Sequence, residues 1–149
     1  MQGIKRKERV VKLRDRIKEI RGYLITVNEK EIGIIQDLIY IIECDQDTTA
    51  LVKQLMNTID GFQQCLYHLK MIFLSSECFD EKIIELIEVL ESDLVGCLKI
   101  SDTLQVISNP NKVGLVEGVH EIFNRLLNQI YVSTEGLDDQ ENFEYHPKT

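Results

Sequence analysis

The sequence predicts an all-α protein of long antiparallel helices, arranged as a four-helix bundle or, if the first helix breaks, as five helices. Three observations carry this. Apolar residues recur at alternating three- and four-residue steps over most of the chain, the spacing that puts them on one helix face. No stretch alternates with period two for long, so no half-buried strand is signalled. Neither proline, Pro110 nor Pro147, falls inside a periodic segment.

The first element is marked by Val10, Leu13, Ile17, Ile20, Leu24, Val27, Ile34, Leu38 and Ile41. Glu31 alone interrupts the stripe. Up to Ile20 the stripe is narrow, which suits one neighbour at most. From Leu24 onward Ile25, Ile32, Ile35, Ile39 and Ile42 widen it, predicting deep burial of the second half. Gly22 and the segment 28–33 are where this helix could bend or split. Asp45–Thr49 ends it and offers N-caps for the next helix.

The second helix repeats the spacing through Val52, Leu55, Ile59, Phe62, Leu66, Leu69 and Phe73, and Ser75–Asp80 breaks it. The third follows Ile83, Ile87, Leu90, Leu94, Cys97 and Leu104, with Leu86, Val89, Ile100 and Ile107 broadening its face. Ser108-Asn109-Pro110-Asn111 is a stop and restart, because the residue before a proline is pushed away from helical geometry. The last helix carries Val116, Val119, Phe123, Leu126 and Ile130. Short connections imply antiparallel neighbours. The expected organisation is one helical domain over 1–134, opening with a basic amphipathic arm over 1–22. An acidic tail over 135–149, expected to be flexible, follows it.

At 149 residues the chain is long enough for one real core and short for two. Isoleucine occurs 19 times and alanine once, a bias that suggests an AT-rich genome such as that of a low-GC bacterium. No run of 18 apolar residues exists, and the N-terminus lacks the apolar centre of a signal peptide, so the cytoplasm is the expected compartment and no membrane span is expected. Cys44, Cys65, Cys78 and Cys97 lie too far apart for a C-x-x-C site and read as buried small hydrophobes.

The net charge of −8 conceals an asymmetry: residues 1–22 balance at +6 and residues 23–149 at −14. Lys5, Arg6, Lys7, Arg9, Lys12, Arg14 and Arg16 form a basic interaction arm. It has no aromatic residue for base stacking, and the remaining surface would repel phosphates, so nucleic acid is an unfavoured partner. In an up-down bundle the arm should lie near Glu77, Asp80 and Glu81, and near the tail acids Glu135, Asp138, Asp139, Glu141 and Glu144. Neutralisation within the molecule, or by a second copy, is therefore expected.

The stretch Val119–Tyr131, VHEIFNRLLNQIY, contains one possible chemistry. His120, followed at once by Glu121 and four residues later by Asn124, resembles the H-E-x-x-N turn of histidine-kinase dimerisation helices. That resemblance implies a phospho-accepting histidine, an acid on the opposite ring nitrogen, and an amide that positions water. The match is one turn long, and a solvated helix histidine is the simpler reading. Glu117 and His120 make an E-x-x-H step, but no second such pair exists, so no metal is expected. His68 falls off its seam and matches no phosphotransfer motif closely. No serine or cysteine nucleophile has a base and orienter placed by spacing, so no enzymatic activity is expected.

Size, the basic start KRKERVVKLRDRIKEIR and two long final helices near 80–107 and 112–134 resemble the layout of the non-haem globin sensor domains of low-GC bacterial stress and sporulation signalling. The resemblance implies a five-helix globin-like fold with the first helix broken near 22–28, and a homodimer built on the last two helices. It also implies a regulator that binds a signalling protein such as a sensor kinase, or a small apolar signal, and inhibits the pathway. Haem is not implied, since His68 comes too early and His120 too late. A fatty-acid-like ligand would sit against Phe62, Cys65, Leu66, Leu69 and Phe73, which equally suit a filled core.

Overall fold

The computed structural model describes residues 2–137. Its element order is α1 (Gln2–Glu43), α2 (Thr49–Leu74), α3 (Glu81–Thr103), a 3-10 turn (Asn109–Asn111) and α4 (Lys112–Ser133). The described residues hold no strand. α1 packs on α2 and α4, and α3 packs on the same two helices. The four helices thus form a ring in which chain neighbours are also spatial neighbours, the up-down-up-down bundle.

α1 runs unbroken through Gly22 and Asn28, so of the two expected arrangements the structure adopts four long helices rather than five. Gly22 is exposed, while Ile20 and Leu24 on either side of it are buried. A glycine in a helix costs about 1 kcal/mol relative to alanine. Each buried Leu or Ile offers about 1.5–3 kcal/mol, so packing wins. The 42 residues of α1 span about 63 Å. α2, at 26 residues, spans about 39 Å, so the first turns of α1 project past the bundle.

The core is continuous and isoleucine- and leucine-rich, from Ile17 to Ile130, with Phe62 and Phe123 at its centre. Their rings meet edge to face at 5.2 Å, the arrangement aromatic quadrupoles prefer.

Polar clasps close both ends. α1 finishes in a Schellman motif, with Gln46 N–H donating to Ile41 O and Asp45 N–H to Ile42 O, both at 3.0 Å. At the same end Asn109 Nδ2 donates to Asp45 Oδ1 at 2.8 Å, and the buried Lys112 donates to Thr48 Oγ1 at 2.9 Å. Asp80 caps α3 by accepting from Ile83 N–H. At the opposite end Arg9 pairs with Glu77 at 3.0 Å, as the up-down topology requires of the basic arm.

Four expectations need correction. Ile25 and Ile32 are exposed, as is Val89 on α3, because in a four-membered ring each helix faces only two neighbours and a wider apolar face overruns the seam. Ile17 and Ile20 are enclosed as fully as residues of the second half, so the early, narrow stripe is core as well. Cys44 is exposed, since it follows the last residue of α1, whereas Cys65, Cys78 and Cys97 are buried. α3 ends at Thr103, before Ile107. The order of the helical domain extends past residue 134, with Leu137 N–H donating to Thr134 O and its side chain packed on the core. The expectations for Asp138, Asp139, Glu141 and Glu144, and the flexibility of the tail, lie outside the described residues.

Candidate functional site

Glu31 occupies a stripe position of α1, one turn from the core residue Ile35 and two turns from Leu24 and Leu38. Its side chain is fully buried, at 0 % exposure. An isolated buried carboxylate is costly, so a partner is demanded. The antiparallel α1–α4 contact supplies His120. Its Nδ1 lies 2.6 Å from Glu31 Oε1 and 3.0 Å from Oε2. An ionised Glu31 can only accept, so Nδ1 is then the donor of this contact. In a neutral ring held this way the lone pair is on Nε2.

The two partners differ in access. The His120 side chain keeps 37 % of its surface, while Glu31 has none. Nε2 makes no hydrogen bond among the described residues. The one buried side-chain polar atom without a partner among those residues is Asn28 Oδ1, so Nε2 is open to solvent. The ring therefore stands edge-on across the seam, with one nitrogen tied inside the bundle and the other outside.

Burial pushes the Glu31 carboxyl above the usual carboxylate range, and the hydrogen bond and charge of His120 oppose that rise without cancelling it. The influence of Glu31 extends to Cys97 on α3, a thiol pushed up to about 11 by burial, then by Asp93 and Glu31. Asn28, three residues before Glu31, shares its face of α1 and adds an unsatisfied acceptor to this polar section of the α1–α4 seam.

Of the H-E-x-x-N residues, His120 alone enters the pair. Glu121 and Asn124 are exposed on α4, and Glu117 is exposed one turn before the histidine. The carboxylate on the imidazole comes from the opposite helix, and the local motif does not contain it. Its signal in the sequence was the single charged residue in an otherwise apolar stripe. His68 is exposed, its ring edge-on to Tyr67. No group of three or more metal-ligating side chains occurs among the described residues.

The basic arm divides. Arg9 bonds Glu77 and holds that carboxyl below its usual range. Arg16 pairs with Glu19 at 2.9 Å, and Arg14 lies 3.9 Å from Asp15. Lys5, Lys7 and Lys12 are exposed and have no acidic partner among the described residues. Ile4 and Val11, flanked by Lys7, Glu8 and Lys12, line a shallow apolar concavity on the outermost turns of α1. Phe62, Cys65, Leu66, Leu69 and Phe73 all belong to the buried core, between α2 and the helices beside it.

No described helix is long and apolar enough to cross a membrane. No family model, no curated protein and no solved structure matches the chain. The bundle and its two polar features therefore stand on their own chemistry.

Proposed function

We propose that this chain is a small cytoplasmic regulatory module that works by docking onto a signalling protein, without a catalytic step of its own. The observation that carries this reading is the projecting first segment of α1. It is basic, it is longer than the bundle needs, and it offers Ile4 and Val11 between lysines that no described acid neutralises. An apolar strip framed mainly by basic side chains, Lys7 and Lys12 with Glu8 between them, suits a protein surface of net opposite charge. The apolar contact would supply affinity and the charge would supply approach rate and orientation.

The partner of this reading is an acidic protein surface with apolar side chains at its centre. A sensor kinase of bacterial stress or sporulation signalling is the class implied by the resemblance in layout. Binding there would block the kinase and inhibit its pathway. A homodimer presenting two such arms would add avidity. Between the two ligands expected of a sensor-like module, the protein is favoured over the fatty-acid-like molecule. Phe62, Cys65, Leu66, Leu69 and Phe73 already fill one another's space, and a lipid would have to displace them. Nucleic acid is disfavoured by the acidic body of the molecule.

The test pairs two measurements. Native mass spectrometry of the purified protein should give two subunits. Crosslinking capture from the source cytoplasm should yield a signalling protein whose retention weakens with salt and is lost with Ile4→Asp/Val11→Asp. Capture of the same set of proteins by parent and variant would end the docking proposal. These substitutions lie outside the core, so the variant should melt like the parent.

A further inference from the structure

The Glu31–His120 pair is not needed for docking through the arm, and its geometry is unlike that of a buried polar pair that merely fixes helix register. Such a pair is enclosed on both sides. Here one member is completely enclosed and the other is half open, with the open nitrogen chemically distinct from the tied one.

We propose that His120 is a phosphoryl-acceptor site, with Nε2 the attacking atom and Glu31 the residue that positions the ring. Three features combine. An ionised Glu31 carboxylate selects, in the neutral ring, the tautomer with its hydrogen on Nδ1 and its lone pair on Nε2. It fixes the ring plane through both oxygens, which lowers the orientational cost of attack. It also lies where the ring's new positive charge is delocalised, and stabilises that charge from inside the bundle.

The donor is an activated phosphoryl group, either a phosphoramidate or an acyl phosphate. In the transfer the Nε2–P bond forms as the bond from phosphorus to the leaving group breaks. The leaving group departs with the bonding pair, as ammonia after taking a proton or as a carboxylate. The Nδ1 proton stays between the ring and Glu31, and nothing is oxidised or reduced. Glu117 and Glu121 are exposed on the same helix and oppose a dianion at this place. Their repulsion keeps the phosphoryl group labile and favours passing it on over storing it.

The experiment incubates the intact protein with phosphoramidate in one arm and acetyl phosphate in the other, and follows intact mass and peptide maps. His68, exposed and without a carboxylate partner among the described residues, is the internal control. One acid-labile phosphoryl group at His120 is expected, forming about tenfold or more faster than at His68, a modest part of what a positioned group contributes. The arm that labels identifies the donor class. Glu31→Gln should bring His120 to the rate of His68, and the 15N shifts of the imidazole should show the loss of the fixed tautomer. A circular-dichroism melt of this variant confirms that it is folded. His120→Gln should abolish the fast phase. Equal labelling of His68 and His120, no labelling in either arm, or a folded Glu31→Gln protein that labels at the parent's rate would each overturn the proposal.

Discussion

Arg21 of α1 donates through Nη1 to Thr134 Oγ1 at 2.6 Å and to Tyr131 O at 2.5 Å, with its guanidinium 3.9 Å from the centre of the Tyr131 ring. A buried cation thus closes the C-terminal end of α4, where the last carbonyls lack helical partners and the helix dipole favours positive charge. Arg21→Met should lower stability by about 3 kcal/mol, because Thr134 and the carbonyl lose a charged donor while remaining enclosed. Arg21→Lys should restore only part of it, since an ammonium can still donate to the oxygens but lacks the planar guanidinium that stacks on the Tyr131 ring. Urea denaturation of the three proteins checks the order.

Glu31 makes stability depend on pH in a direction opposite to that of a surface carboxylate. Its folded-state pKa lies above its unfolded value, so the folded protein binds more protons in the window that opens near 4.5. Stability from this group is complete below that pH and is lost as pH rises through the folded-state pKa. The parent should therefore lose stability relative to Glu31→Gln as pH is raised from about 4 toward neutrality. Asp47 and Glu77, whose values are lowered, act in the opposite sense in both proteins and cancel in the difference. Denaturant midpoints across the pH range give the comparison, and a difference that is flat or grows in the parent's favour contradicts the assignment.

The Phe62–Phe123 contact joins α2 to α4 across the centre of the bundle. Both side chains are wholly enclosed, so Phe62→Ala and Phe123→Ala should each cost about 3–5 kcal/mol. The double variant should cost less than the sum, by about 0.5–1.5 kcal/mol, the coupling of an edge-to-face pair. If either single variant does not fold, Phe→Leu substitutions preserve enough volume for the same cycle.

Much of this bundle is legible in the sequence because helical periodicity is local. The stripes from Val52 to Phe73 and from Ile83 to Cys97 need no knowledge of the partner helix to be recognised. The width of each face is another matter. Ile25, Ile32 and Val89 sit at helical spacing yet face solvent, because the seam is set by where two neighbours touch. The candidate site was half legible. His120 was visible, but the carboxylate on its ring lies 89 residues away and on another helix. Spacing within one turn pointed to Glu121, while the burial of Glu31 showed only as a flaw in a stripe. Both are consequences of α1–α4 register, which no local pattern specifies.

The four thiols should separate by reactivity. Cys44 is exposed beside the end of α1, whereas burial pushes Cys78 and Cys97 up to about 11 and also raises Cys65. The thiolate is the reacting species and must be reached by the reagent, and of the four thiols only Cys44 is open to solvent. Titration of the native protein with a disulfide reagent should modify one thiol quickly, and the other three only on unfolding. Mapping the fast site to any residue but Cys44 would contradict the burial pattern.

Asp45 supplies the last test, since it is a non-glycine residue with positive φ, 53°, at the turn that ends α1. The left-handed conformation costs most residues roughly 1–2 kcal/mol, and Asp or Asn less, because their short polar side chains bond locally. Here Asp45 Oδ1 also accepts from Asn109 Nδ2. Asp45→Gly would relieve the backbone and lose that exposed bond, so it should be nearly neutral. Asp45→Asn should be nearly neutral as well, as its side-chain oxygen can still accept. Asp45→Val combines both losses with a branched Cβ, and should destabilise by about 2 kcal/mol. The order Gly and Asn above Val, read from thermal melts, separates a backbone requirement at this turn from a simple need for charge. Charge alone would place all three substitutions together.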